Sequence, residues 1–270
     1  MLTMLGPLAV MATVSSARMP HMGVVPLTSL SLANLGLGEE LCLRRPSDPA
    51  RTVRIARVAG RPHAFLLKDV LTRAECAEIM RAAKEHGMHP AETSGGTDDR
   101  KRCDVGCLRP ADAPIVRAYT QDVAELLLSD AARGPGGGCE DLHVLRYEPG
   151  GEFKLHFDAG PSKPRALTVL TYLNECGGAT WFPLADSARE PRDPSELGDL
   201  VGGLRPEEHG LRVAGSMGSA LAFFNFADHG ALDALALHAG LPAPDTRWVA
   251  SHFFHAGAMS SSSPDRTGKL

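Results

Sequence analysis

Between Leu142 and His255 the chain breaks into short runs of apolar, β-branched and aromatic residues separated by clusters of Gly, Pro, Asn and Asp. The runs are Leu142–Tyr147, Phe153–Phe157, Leu167–Leu173, Thr180–Phe182, Leu211–Ala214, Ala220–Asn225 and Trp248–His255. Segments this short, bounded by turn residues, read as strands rather than helices. With 28 Gly and 20 Pro in 270 residues, a helical bundle is excluded. The expected architecture is mainly β with supporting helices (α+β): a double-stranded β-helix, or jelly roll, with two helices packed on the outside of the major sheet.

Those helices lie upstream. A strand through Phe65-Leu66-Leu67 precedes Thr72, which has Glu75 three residues on. That capping-box spacing opens an amphipathic helix to about Lys84, ended by Gly87. A second helix is predicted from Ala113 to Leu128, burying Ile115, Val116, Tyr119, Val123, Leu126 and Leu127. Residues 91–110 read as a polar loop, the glycines around 134–138 as a flexible connection, and 185–209 as a charged, Pro-rich insertion.

The domain plan that follows has four parts. Residues 1–50 form a low-charge leader and loosely packed tail, with order beginning near Val53. Residues 51–138 hold the first strand and the helices, 139–256 the jelly roll, and 257–270 a Ser-rich disordered tail. The leader has only Arg18 as a full charge in its first 38 residues and suits a secretory, endoplasmic-reticulum or organellar targeting segment, with a cytoplasmic chain as the alternative. No apolar run is long enough for a transmembrane anchor. Net charge of -4 gives no electrostatic footprint for nucleic acid. Of the six cysteines, Cys103-x3-Cys107 and Cys139-x3-His143 offer a loose zinc arrangement, with scattered thiols or a disulfide as the commoner reading.

The chemistry begins at His156-Phe157-Asp158. In a strand the first and third side chains share a face, so an imidazole and a carboxylate project together. They supply two ligands of a 2-His-1-carboxylate triad, which leaves open positions on iron. Alone, a His-x-Asp is as readily an exposed ion pair, and Asp141-x-His143 is a decoy of reversed order. A third ligand must come from a distant strand, and His238 is the candidate. Arg247, nine residues later, opens the last strand; a guanidinium at the base of an apolar barrel requires an anionic partner, such as the distal carboxylate of a dicarboxylic keto acid.

Six segments in order resemble the prolyl 4-hydroxylase branch of the 2-oxoglutarate dioxygenases. They are Leu145-Arg146-Tyr147-Glu148-Pro149-Gly150-Gly151, His156-x-Asp158, Leu167 to Asn174, Gly177 to Pro183, Gly218 to Phe224, and Leu237-His238-Ala239-Gly240-x-Pro242. The resemblance implies that His156, Asp158 and His238 hold Fe(II), that Arg247 pairs with the 5-carboxylate of 2-oxoglutarate, and that Tyr147 and Tyr172 contact the co-substrate. It further implies O2 as second substrate, ascorbate as reductant, and hydroxylation of an unactivated C–H bond, with a proline in a peptide or protein as the first substrate class. Arg247 at nine residues, where the collagen-type enzymes carry Lys at ten, is more similar to the oxygen-sensing prolyl hydroxylases. Phe153 replaces a Tyr often found three residues before the first ligand.

Phe223, Phe226, Leu170 and Trp248 are expected to wall off water. Rival readings are a nucleic-acid demethylase, which would carry a second Arg where Phe253 stands, a cupin-like metalloenzyme independent of 2-oxoglutarate, a hydroxylase of another amino acid or small molecule, and a non-catalytic jelly-roll binding protein.

Overall fold

A computed structural model describes residues 30–91, 103–129, 138–160, 163–191, 194–228 and 230–255. The expected leader up to residue 29, the glycines at 134, 136 and 137 and the Ser-rich tail lie outside them. The elements are α1 (Leu30–Ala33), β1 (Glu40–Arg45), β2 (Asp48–Ala59), β3 (Ala64–Lys68), α2 (Arg73–His86), β4 (His89–Pro90), β5 (Asp104–Leu108), α3 (Pro114–Leu127), β6 (Gly138–Cys139), β7 (Leu142–Tyr147), β8 (Phe153–His156), β9 (Arg165–Tyr172), β10 (Ala179–Phe182), α4 (Leu197–Val201), β11 (Leu211–Ala214), β12 (Ala220–Phe224), β13 (His238–Gly240) and β14 (Arg247–His255).

Two antiparallel sheets form the jelly roll. The major sheet runs β1-β2-β3-β12-β9-β14-β7-β5-β4, with β6 on β14, and the minor sheet runs β11-β10-β13-β8. Helices α2 and α3 cover the outer face of the major sheet. Alternation along β14 explains how: Trp248, Ala250 and Phe254 join the core shared with Ile79, Val116 and Val123 of the helices, while Val249 faces inward with Tyr172, Phe182, Leu221 and Phe223. Each fully buried Leu, Ile or Phe in these layers contributes on the order of 1.5–3 kcal/mol. Trp248, expected on the cavity wall, therefore faces the helices, because its position along the strand puts it on the face opposite Arg247 and Val249.

Helix α2 begins as its sequence dictates. Thr72 Oγ1 accepts from the Glu75 N–H, and the Glu75 carboxylate accepts from the Thr72 N–H. All six residues predicted for the buried side of α3 are buried.

Order begins earlier than the sequence suggested. The Arg44-Arg45-Pro46-Ser47-Asp48 stretch, read as a loose tail, is the turn of the β1–β2 hairpin, with Arg45 paired to Asp48. Its charge conceals a burial: Arg45 is 2% exposed. Its Nε donates to Asp122 of α3 at 2.6 Å and its Nη1 to Glu75 of α2 at 2.6 Å. Asp122, 1% exposed, also accepts from the Ser47 N–H and hydroxyl, each at 2.7 Å. One ion-paired network thus pins the hairpin to both helices. Within the expected loop at 91–110, residues 104–108 form β5 and pair with β7. The glycine in its middle admits this: a Cβ on Gly106 would stand 3.2 Å from the Gly87 carbonyl and 3.3 Å from that of Ala83.

Candidate functional site

Antiparallel pairing of β8 with β13 sets His156 directly opposite His238. Asp158, two residues past His156, turns its carboxylate between them: Oδ1 lies 3.5 Å from His156 Nε2 and Oδ2 lies 3.5 Å from His238 Nε2. Among the described residues these three form the one group of His, Cys, Asp or Glu side chains spaced to hold a metal ion, with all ligand atoms within 4.8 Å of one another.

Each ring is fixed by its other nitrogen. His156 Nδ1 donates to the Lys154 carbonyl at 2.7 Å, and His238 Nδ1 to the Ala236 carbonyl at 2.9 Å. A carbonyl only accepts, so both Nδ1 atoms carry a proton and both Nε2 atoms are turned to the centre as the available ligand atoms. Burial, reinforced by His156 nearby, pushes the His238 imidazole down to about 4, so it is neutral at physiological pH. Burial opposes ionisation of Asp158, but the two imidazoles outweigh it and hold the carboxyl below its ordinary range. The donor set is two imidazoles and one carboxylate, which suits a divalent first-row metal with positions left open.

Two residues that sequence reasoning missed complete this end. Thr168 Oγ1 donates to Asp158 Oδ2 at 2.9 Å, and Asn225 Nδ2 donates to Thr168 Oγ1 at 2.9 Å. They sit on β9 and just past β12, and nothing local in the sequence marks them. Aromatic rings enclose the histidines. Phe153 stacks on His156 with centroids 3.5 Å apart, while Phe182 and Phe223 pack against His238.

The cavity beside the triad is lined by Leu145, Leu170, Val249 and Phe253 as apolar wall, by His143, Thr180 and Ser251 as polar points, and by Tyr147 and Arg247. Of the residues expected to exclude water, Leu170 lines it directly. Phe226 belongs to a separate cluster with Ala159 and Ala166.

Arg247 is 3% exposed and pairs in register with Tyr147 across β14 and β7. Its guanidinium lies 4.4 Å over the Tyr147 ring. Nη1 donates to the carbonyls of Leu241 at 2.9 Å and Ala179 at 3.3 Å, whereas the buried Nε has no acceptor. Among the described residues no carboxylate pairs with it. Two glycines make room for it: a Cβ on Gly240 would lie 2.7 Å from Nη2, and one on Gly178 would lie 2.9 Å from Cδ. A buried cation with an unfilled donor, at the end of a cavity whose other end is a metal triad, fits a dicarboxylate that bridges them. Burial raises the Tyr147 hydroxyl above its ordinary range, and hydrogen bonding to the neighbouring guanidinium opposes this; the phenol stays protonated as a donor.

Tyr172, the other tyrosine expected at the co-substrate, also points into the barrel, near enough to Arg247 to feel its charge. Its hydroxyl bonds Thr180 Oγ1 at 3.0 Å and burial pushes it up to about 12. Thr180 lines the cavity and Tyr172 stands behind it, packed among Phe182, Val213 and Phe223. The six cysteines form no disulfide. Cys107 stands opposite His143 in the β5–β7 register. No helix among the described residues is long and apolar enough to cross a membrane.

A model of the 2OG-Fe(II) oxygenase superfamily matches residues 142–255, the interval that holds the triad and Arg247. The chain is 29% identical over 234 residues to prolyl 4-hydroxylase 2 of Arabidopsis thaliana, covering 79% of this chain and 74% of that protein. It is 29% identical over 215 residues to probable prolyl 4-hydroxylase 3 of the same plant, covering 73% and 70%. Among solved structures, the viral collagen prolyl hydroxylase of Paramecium bursaria Chlorella virus-1, in its 2OG complex, superposes with a TM-score of 0.53 at 20% identity, covering 74% of this chain and 99% of that one. A Trichoplax adhaerens prolyl hydroxylase, in complex with a hypoxia inducible factor oxygen degradation domain peptide fragment, gives 0.52 at 16% identity, covering 73% and 84%. At these identities the structural likeness speaks for the fold.

Proposed function

We propose that the chain is a 2-oxoglutarate-dependent dioxygenase of the prolyl 4-hydroxylase type, within the 2OG-Fe(II) oxygenase superfamily whose model it matches, and that its substrate is a peptidyl proline. The observation that carries the reading of the site is the pairing of a His-Asp-His triad with a buried guanidinium that has no carboxylate of its own across one narrow cavity. Proline is the substrate class named for the curated relatives.

In this reading His156, Asp158 and His238 hold Fe(II). With 2-oxoglutarate and O2 bound, the iron supplies oxidative decarboxylation to succinate and CO2 and transfer of one oxygen atom to a substrate C–H bond. The protein's part is placement and exclusion. Arg247 and Tyr147, which both line the cavity, would bind the distal carboxylate. Thr168 and Asn225 hold the Asp158 carboxylate in one orientation, and the Lys154 and Ala236 carbonyls fix the two imidazole tautomers. Leu145, Leu170, Val249 and Phe253 keep water from the reacting atoms. Tyr172 supports Thr180 from behind.

The test is incubation with proline-rich peptides under Fe(II), 2-oxoglutarate, ascorbate and O2, followed by mass spectrometry. Gain of one oxygen on a prolyl residue is the expected result. Peptides returned unmodified while 2-oxoglutarate is consumed would refute the substrate class and leave the co-substrate chemistry standing.

A further inference from the structure

The insertion between β10 and β11 carries an apolar cluster that reaches Leu235 and takes in chain neighbours of all three triad residues. Strand alternation sends His156 and Asp158 inward, so Leu155 and Phe157, on either side of His156, turn outward. Leu237 stands in the same relation to His238. Leu237 is buried in one cluster with Leu197 and Val201 of α4, which are 5% and 9% exposed, and the half-buried Leu155 and Phe157 pack against it. Leu200 and Leu204 pack on its edge.

The insertion is also tied down by charge. Arg61 pairs with Glu190 of the insertion and with Asp233, at 2.9 Å to the latter. Asp233 is 2% exposed and caps the turn that leads into His238, accepting from the Leu235 N–H at 3.0 Å. Asp186, at the start of the insertion, accepts from the Gly60 and Arg61 N–H groups. The segment read from its composition as a charged loop is thus anchored at both levels behind the metal-binding strands.

We propose that α4 is a clamp that positions the metal ligands. Its apolar face presses on Leu155, Phe157 and Leu237, and through them sets the separation of His156, Asp158 and His238. The proposal rests on the assignment of those three as ligands, and its residues act through them rather than on substrate. A packed interior transmits a volume change to adjacent backbone instead of absorbing it. Emptying the cluster should therefore loosen the triad before it loosens the fold.

The probe is Co(II) alone, titrated anaerobically into the full chain and followed by its visible absorption, with thermal melting of the metal-free protein in parallel. Leu197→Ala/Val201→Ala should raise the Co(II) Kd about tenfold, the low end of the range for residues supporting metal ligands, and alter the absorption envelope. Leu197→Met, which conserves volume, should keep the wild-type spectrum. Ile79→Ala, which opens the helix-side core instead, should lower the melting temperature with no change in Co(II) affinity. Should the double variant not fold, Leu200→Ala at the cluster's edge makes the same comparison. Unchanged Co(II) affinity in the α4 variants, or an equal loss in Ile79→Ala, would overturn the clamp. A wild-type chain that takes up no Co(II), or one that takes it up equally after Asp158→Ala, would overturn the ligand assignment beneath it.

Discussion

Replacing Arg247 by methionine separates the co-substrate role of this side chain from any structural one. The residue is 3% exposed, its Nη1 is held by the Leu241 and Ala179 carbonyls, and its Nε has no acceptor. Without ligand it is a buried charge that no acid neutralises. Loss of one partner from a buried, hydrogen-bonded charge pair costs about 3 kcal/mol, so the 2-oxoglutarate Kd should rise roughly 150-fold. Methionine fills similar space without the desolvation cost of a cation, so the ligand-free protein should melt at the same temperature or somewhat higher. Gly240→Ala is the companion: its Cβ would stand 2.7 Å from Nη2, displacing the guanidinium while keeping its charge, and 2-oxoglutarate affinity should fall again. Calorimetric titration of 2-oxoglutarate into the Mn(II)-loaded protein measures both. Wild-type affinity in Arg247→Met, or a large drop in its melting temperature, would show that this arginine serves the fold and not the co-substrate.

Thr168→Val removes the hydroxyl that holds Asp158 at 2.9 Å and should weaken metal binding on the order of tenfold, read by Co(II) titration; unchanged affinity would rule out a supporting role. Asp122→Ala strands Arg45 in the hairpin–helix network and should cost about 3–5 kcal/mol in urea unfolding; a midpoint like wild type would contradict the burial described for that pair. His252, fully buried against Tyr119 and Phe254, is pushed by burial down to about 3, against an unfolded value of about 6.5. Its neutral form belongs to the fold, so stability is intact above about pH 6.5 and falls as acid protonates the unfolded chain, by about 2 kcal/mol at pH 5. In His252→Phe this part of the slope should vanish, and an unaltered pH profile of unfolding would refute the assignment.

The legible parts of the sequence are those with local rules. Period-two runs gave β7, β9, β12 and β14 to within about two residues, because one face of each packs on helices and the other lines the barrel. The Thr72–Glu75 spacing located α2 because a capping box is a contact between near neighbours. His156 and Asp158 could be paired for the same reason, whereas His238 needed the order of distant motifs. What stayed hidden depends on distance along the chain. Arg45 looked like surface charge because its partners lie 30 and 77 residues away. Thr168 and Asn225, 57 residues apart, have no signature until β9 and β12 pair. Trp248 was placed at the site by composition, and the face of β14 that carries it decided otherwise; Tyr172 points inward as expected, with Thr180 between its hydroxyl and the cavity. The insertion's polar residues concealed Leu197 and Val201, whose partner Leu237 lies beyond two further strands.

The most direct measurement is release of labelled CO2 from 1-14C-2-oxoglutarate, with succinate counted alongside, in the presence of Fe(II), ascorbate and O2. The triad and Arg247 predict matched CO2 and succinate, dependence on added Fe(II), and loss of both products in Asp158→Ala and His156→Ala. No release under these conditions, or release that survives removal of Asp158, would contradict the account at its centre.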